Sequence, residues 1–78
     1  MNQQEFEQRM AEANALLTRR PHYVGGYVDG LRRLYHGPQS GILQEHETRL
    51  GLAYDRYATR NEEGRGYRDG LQGIKPHS

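Results

Sequence analysis

The hexapeptide Gly26-Tyr27-Val28-Asp29-Gly30-Leu31 is the main clue to the architecture, because it occurs again forty residues later as Gly66-Tyr67-Arg68-Asp69-Gly70-Leu71. The two copies differ only where Val28 becomes Arg68. A shift of forty residues gives 11 identities in the 38 pairs that it aligns. The identities that precede the hexapeptide pair Gln4, Glu5, Glu7, Arg9, Ala13 and Arg20 with Gln44, Glu45, Glu47, Arg49, Ala53 and Arg60. We therefore interpret the chain as one unit of about forty residues present twice.

The composition of the 78-residue chain allows one small domain with a thin aliphatic core. Leu, Ile, Val and Phe number only 13, so the six tyrosines must supply part of the core. Disordered chains usually combine low hydrophobicity with high net charge, whereas the formal charge here is +1. A core of this size is marginal alone, which is consistent with a homodimer or a bound partner.

The absence of cysteine excludes disulfides, thiolate chemistry and cysteine-ligated zinc. No stretch resembles a signal peptide, and no apolar run is long enough to cross a membrane. These features predict a cytoplasmic protein without a membrane partner.

Apolar residues at helical spacing predict two helices in the first copy. The first helix runs from about residue 3 to 18, with Asn2 as its N-cap. Its apolar stripe contains Phe6, Met10, Ala13 and Leu17. The second begins at Pro21 and stops at Gly37-Pro38. Its stripe contains Val24, Tyr27, Leu31 and Leu34.

Gly26 and Gly30 lie inside the second helix, where each costs about 1 kcal/mol relative to alanine. They are four residues apart and share one face, so a second backbone could approach closely there. Close packing explains the glycines; a bent or broken helix is the alternative.

In the second copy, a third helix is predicted from about residue 42 to 59 after a loop at 37–41. Its stripe contains Leu43, His46, Leu50, Ala53, Tyr54 and Tyr57. Asn61 is expected to cap a fourth helix that runs to about 72, with Gly73 as its C-cap and a frayed tail at 75–78. The predicted fold is an all-α four-helix domain over residues 1–78. It contains two tandem αα-hairpins, about 2–37 and 42–74, packed about a pseudo-twofold axis.

No arrangement of residues predicts catalysis, a cofactor or a metal site. His46-Glu47 begins like a zinc-protease helix, but Leu50 occupies the place of the second histidine. We therefore expect a packed or half-buried His46, and a protein that is not an enzyme.

Arginine beside aromatic residues forms the one chemically suggestive surface. The candidate binding residues are Arg65, Tyr67, Arg68, Arg32, Arg33, Tyr35 and His36. Such pairs stack on RNA bases or hold phosphates, and they also anchor protein interfaces. The structural alternative places the tyrosines in the core and leaves the arginines solvated. The change from Val28 to Arg68 favours a second copy that faces water or a partner.

The segment Gly64–Gly73 resembles the glycine-aromatic helix of ribosome modulation factor, and Tyr23–Tyr27 is similar to that family's other glycine-aromatic segment. The two segments occur in the opposite order along the chain. The resemblance implies a ribosome- or RNA-associated regulator. The overall pattern also resembles small proteins of proteobacterial phages and mobile elements, which include anti-CRISPR inhibitors. That resemblance implies an inhibitor or adaptor that blocks a host protein complex, and the near-neutral charge favours this second hypothesis.

Overall fold

The computed structural model describes residues 1–37 and 43–77, which form four helices and no strand. The helices are α1 (Gln3–Asn14), α2 (Pro21–His36), α3 (Leu43–Leu52) and α4 (Ala58–Gln72). The described part of the chain is thus a small all-α domain, as the sequence predicts, with a radius of gyration of 11.5 Å.

The residues at the two ends of α2 confirm its predicted bounds. Pro21 occupies the first turn, where its missing N–H needs no partner. Gly37 ends the helix with a φ of 91°, a backbone conformation that favours glycine. The remainder of the predicted loop, 38–41, lies outside the described residues.

α1 begins as predicted but ends four residues early. The Asn2 side chain accepts a hydrogen bond from the Glu5 N–H at 2.8 Å. After Asn14 the chain turns, and the Leu16 N–H donates to the Ala13 carbonyl at 2.9 Å. The turn buries Leu16 and leaves Leu17 50% exposed, so the predicted burial of Leu17 is wrong.

α3 is also shorter than predicted, and α4 begins earlier. α4 starts at Ala58, which places Asn61 inside the helix rather than at its cap. The Asn61 side-chain amide instead donates to the Ala53 carbonyl at 2.7 Å, so it satisfies an acceptor beyond the end of α3. At the other end, Gly73 is the predicted C-cap, with a left-handed φ of 68°.

Backbone contact between α2 and α4 forms the centre of the molecule. A Cβ atom on Gly26 would overlap the Glu63 carbonyl and lie 3.0 Å from the Tyr67 nitrogen. A Cβ atom on Gly66 would overlap the Tyr23 carbonyl in the same way. The predicted close packing at the first glycine is therefore confirmed, and glycine is needed on both helices.

The same relation holds one turn further along both helices. A Cβ on Gly30 would overlap the Tyr67 carbonyl, and a Cβ on Gly70 would overlap the Tyr27 carbonyl. Residues with higher numbers in α2 therefore contact residues with higher numbers in α4, which means that the two helices run parallel. We call this contact, formed by Gly26, Gly30, Gly66 and Gly70, the glycine seam. Each contact of a glycine in α2 has a counterpart in which both residue numbers correspond after a shift of forty, which is consistent with a duplication. Superposition of the two halves stays a prediction.

The outer helices flank this pair, since α1 packs on α2 and α3 packs on α4. The domain measures 35 × 29 × 15 Å, so it is a thin slab with little depth for a core. Tyr23, Tyr27 and Leu31 are the largest fully buried side chains, which confirms that tyrosines supply part of the core.

The C-terminal tail is docked on the domain, so the predicted fraying is wrong as far as His77. The Tyr27 hydroxyl donates to the Ile74 carbonyl at 2.6 Å, and the His77 N–H donates to the Tyr23 hydroxyl at 3.0 Å. Arg20 donates to the His77 carbonyl at 2.6 Å, and Pro76 is buried. These contacts join residues more than forty apart in sequence, which explains why local patterns missed them.

Candidate functional site

The two arginines of α4 in the predicted recognition surface are exposed. Arg65 and Arg68 lie on the side of α4 opposite the glycine seam, because Gly66 and Gly70 turn the other side toward α2. Neither arginine forms an ion pair with a described residue. Both guanidinium groups are thus available to a partner.

Tyr67 does not lie on that surface. Its side chain is 4% exposed, and its hydroxyl lies 2.6 Å from Nδ1 of the half-buried His46. The guanidinium carbon of Arg49 lies 5.7 Å from the centroid of the ring. Burial raises the pKa of Tyr67 above its ordinary value. The prediction that Tyr67 contributes an exposed ring is therefore wrong: the ring packs where α3 meets α4.

The predicted residues of α2 occupy another part of the molecule. Arg32 and His36 are exposed, whereas Arg33 is half-buried. Tyr35 is half-buried and stacks on Phe6 with a centroid distance of 4.4 Å. Arg32 points away from the glycine seam on α2, as Arg65 does on α4, so the two face opposite sides of the helix pair. The seven predicted residues do not form one continuous surface.

Three other arginines have structural partners. Arg20 forms two hydrogen bonds to the Glu62 carboxylate, at 2.8 and 3.3 Å, and its guanidinium lies 4.1 Å from the Tyr23 ring centroid. The hydrogen bonds from Arg20 lower the pKa of Glu62. Arg9 pairs with Glu12, and Arg49 pairs with Asp29 and, at 4.0 Å, with Glu63. These three arginines therefore hold elements of the fold together.

A buried carboxylate holds the tail in place. Asp69 is 5% exposed, accepts a hydrogen bond from the Tyr23 hydroxyl at 2.6 Å, and lies 2.9 Å from Nδ1 of His77. Burial and the bond to Asp69 raise the pKa of Tyr23. In residues 1–37 and 43–77, no three His, Asp or Glu side chains are grouped to hold a metal ion. The contacts of Asp69 fasten the tail.

The segment between α3 and α4 presents aromatic residues that sequence reasoning placed in the core. Tyr54 is 85% exposed and Tyr57 is 53% exposed. The guanidinium carbons of Arg56 and Arg60 lie 5.4 and 5.1 Å from the Tyr57 ring centroid. We call Tyr54, Arg56, Tyr57 and Arg60 the connector cluster. A local signal was present, since Asp55 accepts from the Tyr57 N–H at 2.8 Å, a turn typical of aspartate.

A small aliphatic patch surrounds the end of α4. Met1, Leu34 and Ile74 are 44%, 40% and 38% exposed. A Cβ on Gly73 would lie 2.9 Å from Cδ2 of Leu34 and 3.3 Å from Cε of Met1, so these side chains converge on the residue that precedes Ile74. We call these three residues the terminal patch.

Comparisons with family models, with curated proteins and with solved structures find no match to this chain.

Proposed function

We propose that this chain is a small non-enzymatic binding protein that occupies a surface of a larger host complex, as a phage or mobile-element inhibitor or adaptor such as an anti-CRISPR protein does. The observation that carries the proposal is the exposure of two neighbouring arginines, Arg65 and Arg68, on a helix whose other side is held in backbone contact with α2. Arg9, Arg20 and Arg49 are tied to carboxylates, whereas Arg65 and Arg68 stand exposed on the outer side of α4 without an ion pair to a described residue.

The helix that carries Arg65 and Arg68 is held rigidly. α4 is in backbone contact with α2 through the glycine seam, and the bonds from Arg20 to Glu62 fasten its first half to the start of α2. A partner would therefore need to order only two side chains, so little of the interaction energy would be lost on binding. Exposed arginines on a rigid helix are typical anchors of protein interfaces.

Two further features favour a protein partner over RNA at this helix. Burial of Tyr67 removes the ring on which a base would have stacked beside Arg65 and Arg68. The terminal patch adds exposed aliphatic surface, which suits a protein interface better than a nucleic acid. No helix in the described residues is long and apolar enough to cross a membrane.

The test begins with capture of partners from a proteobacterial lysate, with and without RNase. The affinity of the captured complex is then measured for the wild type and for Arg65→Ala/Arg68→Ala. We expect the double variant to keep its helical content in circular dichroism and to lose on the order of 2 kcal/mol, roughly 30-fold in Kd.

A matched control removes two positive charges from elsewhere. Arg19 and Lys75 are exposed and have no ion pair with a described residue, so Arg19→Ala/Lys75→Ala should bind within about threefold of the wild type. Equal losses in both double variants would indicate a net-charge effect. Undiminished affinity of a folded Arg65→Ala/Arg68→Ala protein would contradict the proposal.

A further inference from the structure

The backbone of the connector between α3 and α4 is fixed by hydrogen bonds. The Tyr54 and Asp55 N–H groups donate to carbonyls of the last turn of α3, at 3.1 and 3.0 Å. Asn61 reaches back from α4 to the Ala53 carbonyl, and the Asp55 side chain holds the Tyr57 N–H. The exposed rings of Tyr54 and Tyr57 therefore project from an ordered segment.

The connector cluster has no structural role comparable to that of its counterparts in the first copy. A shift of forty residues aligns Arg56 with Leu16, which is buried in the core. It aligns Arg60 with Arg20, which donates hydrogen bonds to the Glu62 carboxylate and to the His77 carbonyl in the tail. Arg60 is 61% exposed, and its nearest carboxylate, that of Asp55, is 4.0 Å away. Fold stability thus explains the arginine in the first copy and does not explain Arg60.

The chemistry of the connector cluster suits a flexible anionic chain that carries flat rings. Tyr54 is 85% exposed, and a base can stack on a ring that is so open to solvent. The guanidinium groups of Arg56 and Arg60 flank Tyr57, where they can stack on bases and neutralise phosphates. We infer that the connector cluster binds a short stretch of single-stranded nucleic acid. This inference is independent of the proposed function, which depends on Arg65 and Arg68.

The surroundings of the cluster favour nucleic acid over a protein partner. An interface anchor in a protein complex usually sits among neighbours that exclude water. The exposed residues that lie next to Tyr54 and Tyr57 in sequence are Arg56, Thr59 and Arg60, which are polar, and Ala58, which is small. Stacking on single-stranded bases requires only the ring faces and nearby positive charge. The formal charge of +1 on the whole chain fits a local patch that contacts a few nucleotides.

The test is titration of a fluorescein-labelled twelve-residue oligouridylate with the purified full chain at 150 mM salt, read by fluorescence anisotropy. Tyr54→Ala/Tyr57→Ala should weaken binding at least about tenfold, because each stacked base contributes on the order of a factor of five or more. Tyr54→Phe/Tyr57→Phe keeps both rings and should bind like the wild type. Arg65→Ala/Arg68→Ala leaves both rings and both arginines of the connector cluster in place and should change the affinity less than about threefold.

A second readout uses the protein's own fluorescence. The chain has no tryptophan, so its emission comes from six tyrosines, and stacking on Tyr54 and Tyr57 should quench it in the wild type. A double-stranded oligonucleotide of the same length should bind more weakly, because its bases are already stacked.

Three results would overturn the inference. The first is no binding at millimolar oligonucleotide, and the second is equal binding by Tyr54→Ala/Tyr57→Ala. The third is that Tyr54→Ala/Tyr57→Ala releases a captured protein partner while the wild type binds no oligonucleotide, which would assign the cluster to a protein interface. Loss of partner binding in Arg65→Ala/Arg68→Ala bears only on the proposed function, so the two failures can be told apart.

Discussion

Adjacent glycines in α2 offer a controlled test of the glycine seam. Gly25 and Gly26 share a helix and gain the same helix propensity, about 1 kcal/mol, when changed to alanine. A Cβ on Gly25 would meet nothing within 4 Å, whereas a Cβ on Gly26 would overlap the Glu63 carbonyl. Packing alone therefore separates the two substitutions.

The size of the difference follows from what must move. The atom that meets the Gly26 Cβ belongs to the backbone of α4, so no side chain can rotate away and the helices must separate. Overpacking of this kind costs about 1–3 kcal/mol and occasionally more. We expect Gly25→Ala to be stabilised by about 1 kcal/mol and Gly26→Ala to be less stable than Gly25→Ala, with a gap of about 1–3 kcal/mol or more between them. A domain of this length has a total stability of about 4–12 kcal/mol, so the gap is measurable.

Urea denaturation followed by circular dichroism measures this gap. Gly66→Ala should behave like Gly26→Ala, because its Cβ would overlap the Tyr23 carbonyl. Gly51→Ala in α3 is a second control, since nothing lies within 4 Å of that position. Equal stabilisation of Gly25→Ala and Gly26→Ala would refute the close approach of the two helices.

Two further predictions concern the tail and the buried tyrosines. Deletion of residues 74–78 removes four hydrogen bonds and the buried Pro76, and should lower the free energy of unfolding by about 2–4 kcal/mol, whereas a frayed tail would leave it unchanged in urea denaturation. Burial raises the pKa of Tyr27 to about 12, so the neutral side chain stabilises the folded state. This contribution to the free energy of unfolding, on the order of 2–3 kcal/mol, is complete below pH 10 and is lost as the pH rises from 10 through 12. Tyr27→Phe should make that part of the stability curve less steep, while Tyr23 and Tyr67, whose pKa values are also raised by burial, keep part of the slope. An unchanged slope in this variant would contradict the assignment.

The sequence predicted the parts of the fold that depend on local signals. Pro21 and the glycine after His36 set the bounds of α2, and Asn2 capped α1 as expected. Glycines four residues apart on one face predicted the close approach of helices, because a helical glycine is costly unless something occupies the space of its side chain.

The errors arose where distant contacts override local periodicity. Helical spacing extended α3 into the connector and assigned Tyr54 to the core, although Tyr54 is 85% exposed among the residues that the structure describes. Asn61 looked like an N-cap, but its amide found a carbonyl eight residues earlier. Lys75 and His77 looked like a frayed end, because nothing local shows that a tyrosine and an arginine bind the backbone of that segment.

The candidate surfaces likewise combine a feature that the sequence predicted with one that depends on distant contacts. Exposure of Arg65 and Arg68 followed from the difference between the two copies, in which Gly25 and Val28 occupy their places. Burial of Tyr67 did not follow, because it depends on the third helix bringing His46 within 2.6 Å of the hydroxyl.

The most direct test of the glycine seam is a carbon-13-edited NOESY spectrum of the full chain. The structure predicts a reciprocal set of contacts between helices, from the Gly26 α-protons to backbone protons of Tyr67 and from the Gly66 α-protons to those of Tyr27. Parallel α2 and α4 require both members of the set, with Gly30 displaced toward Leu71. Absence of these cross-peaks would contradict the close contact of α2 and α4. Cross-peaks in the pattern of antiparallel helices would contradict their parallel packing.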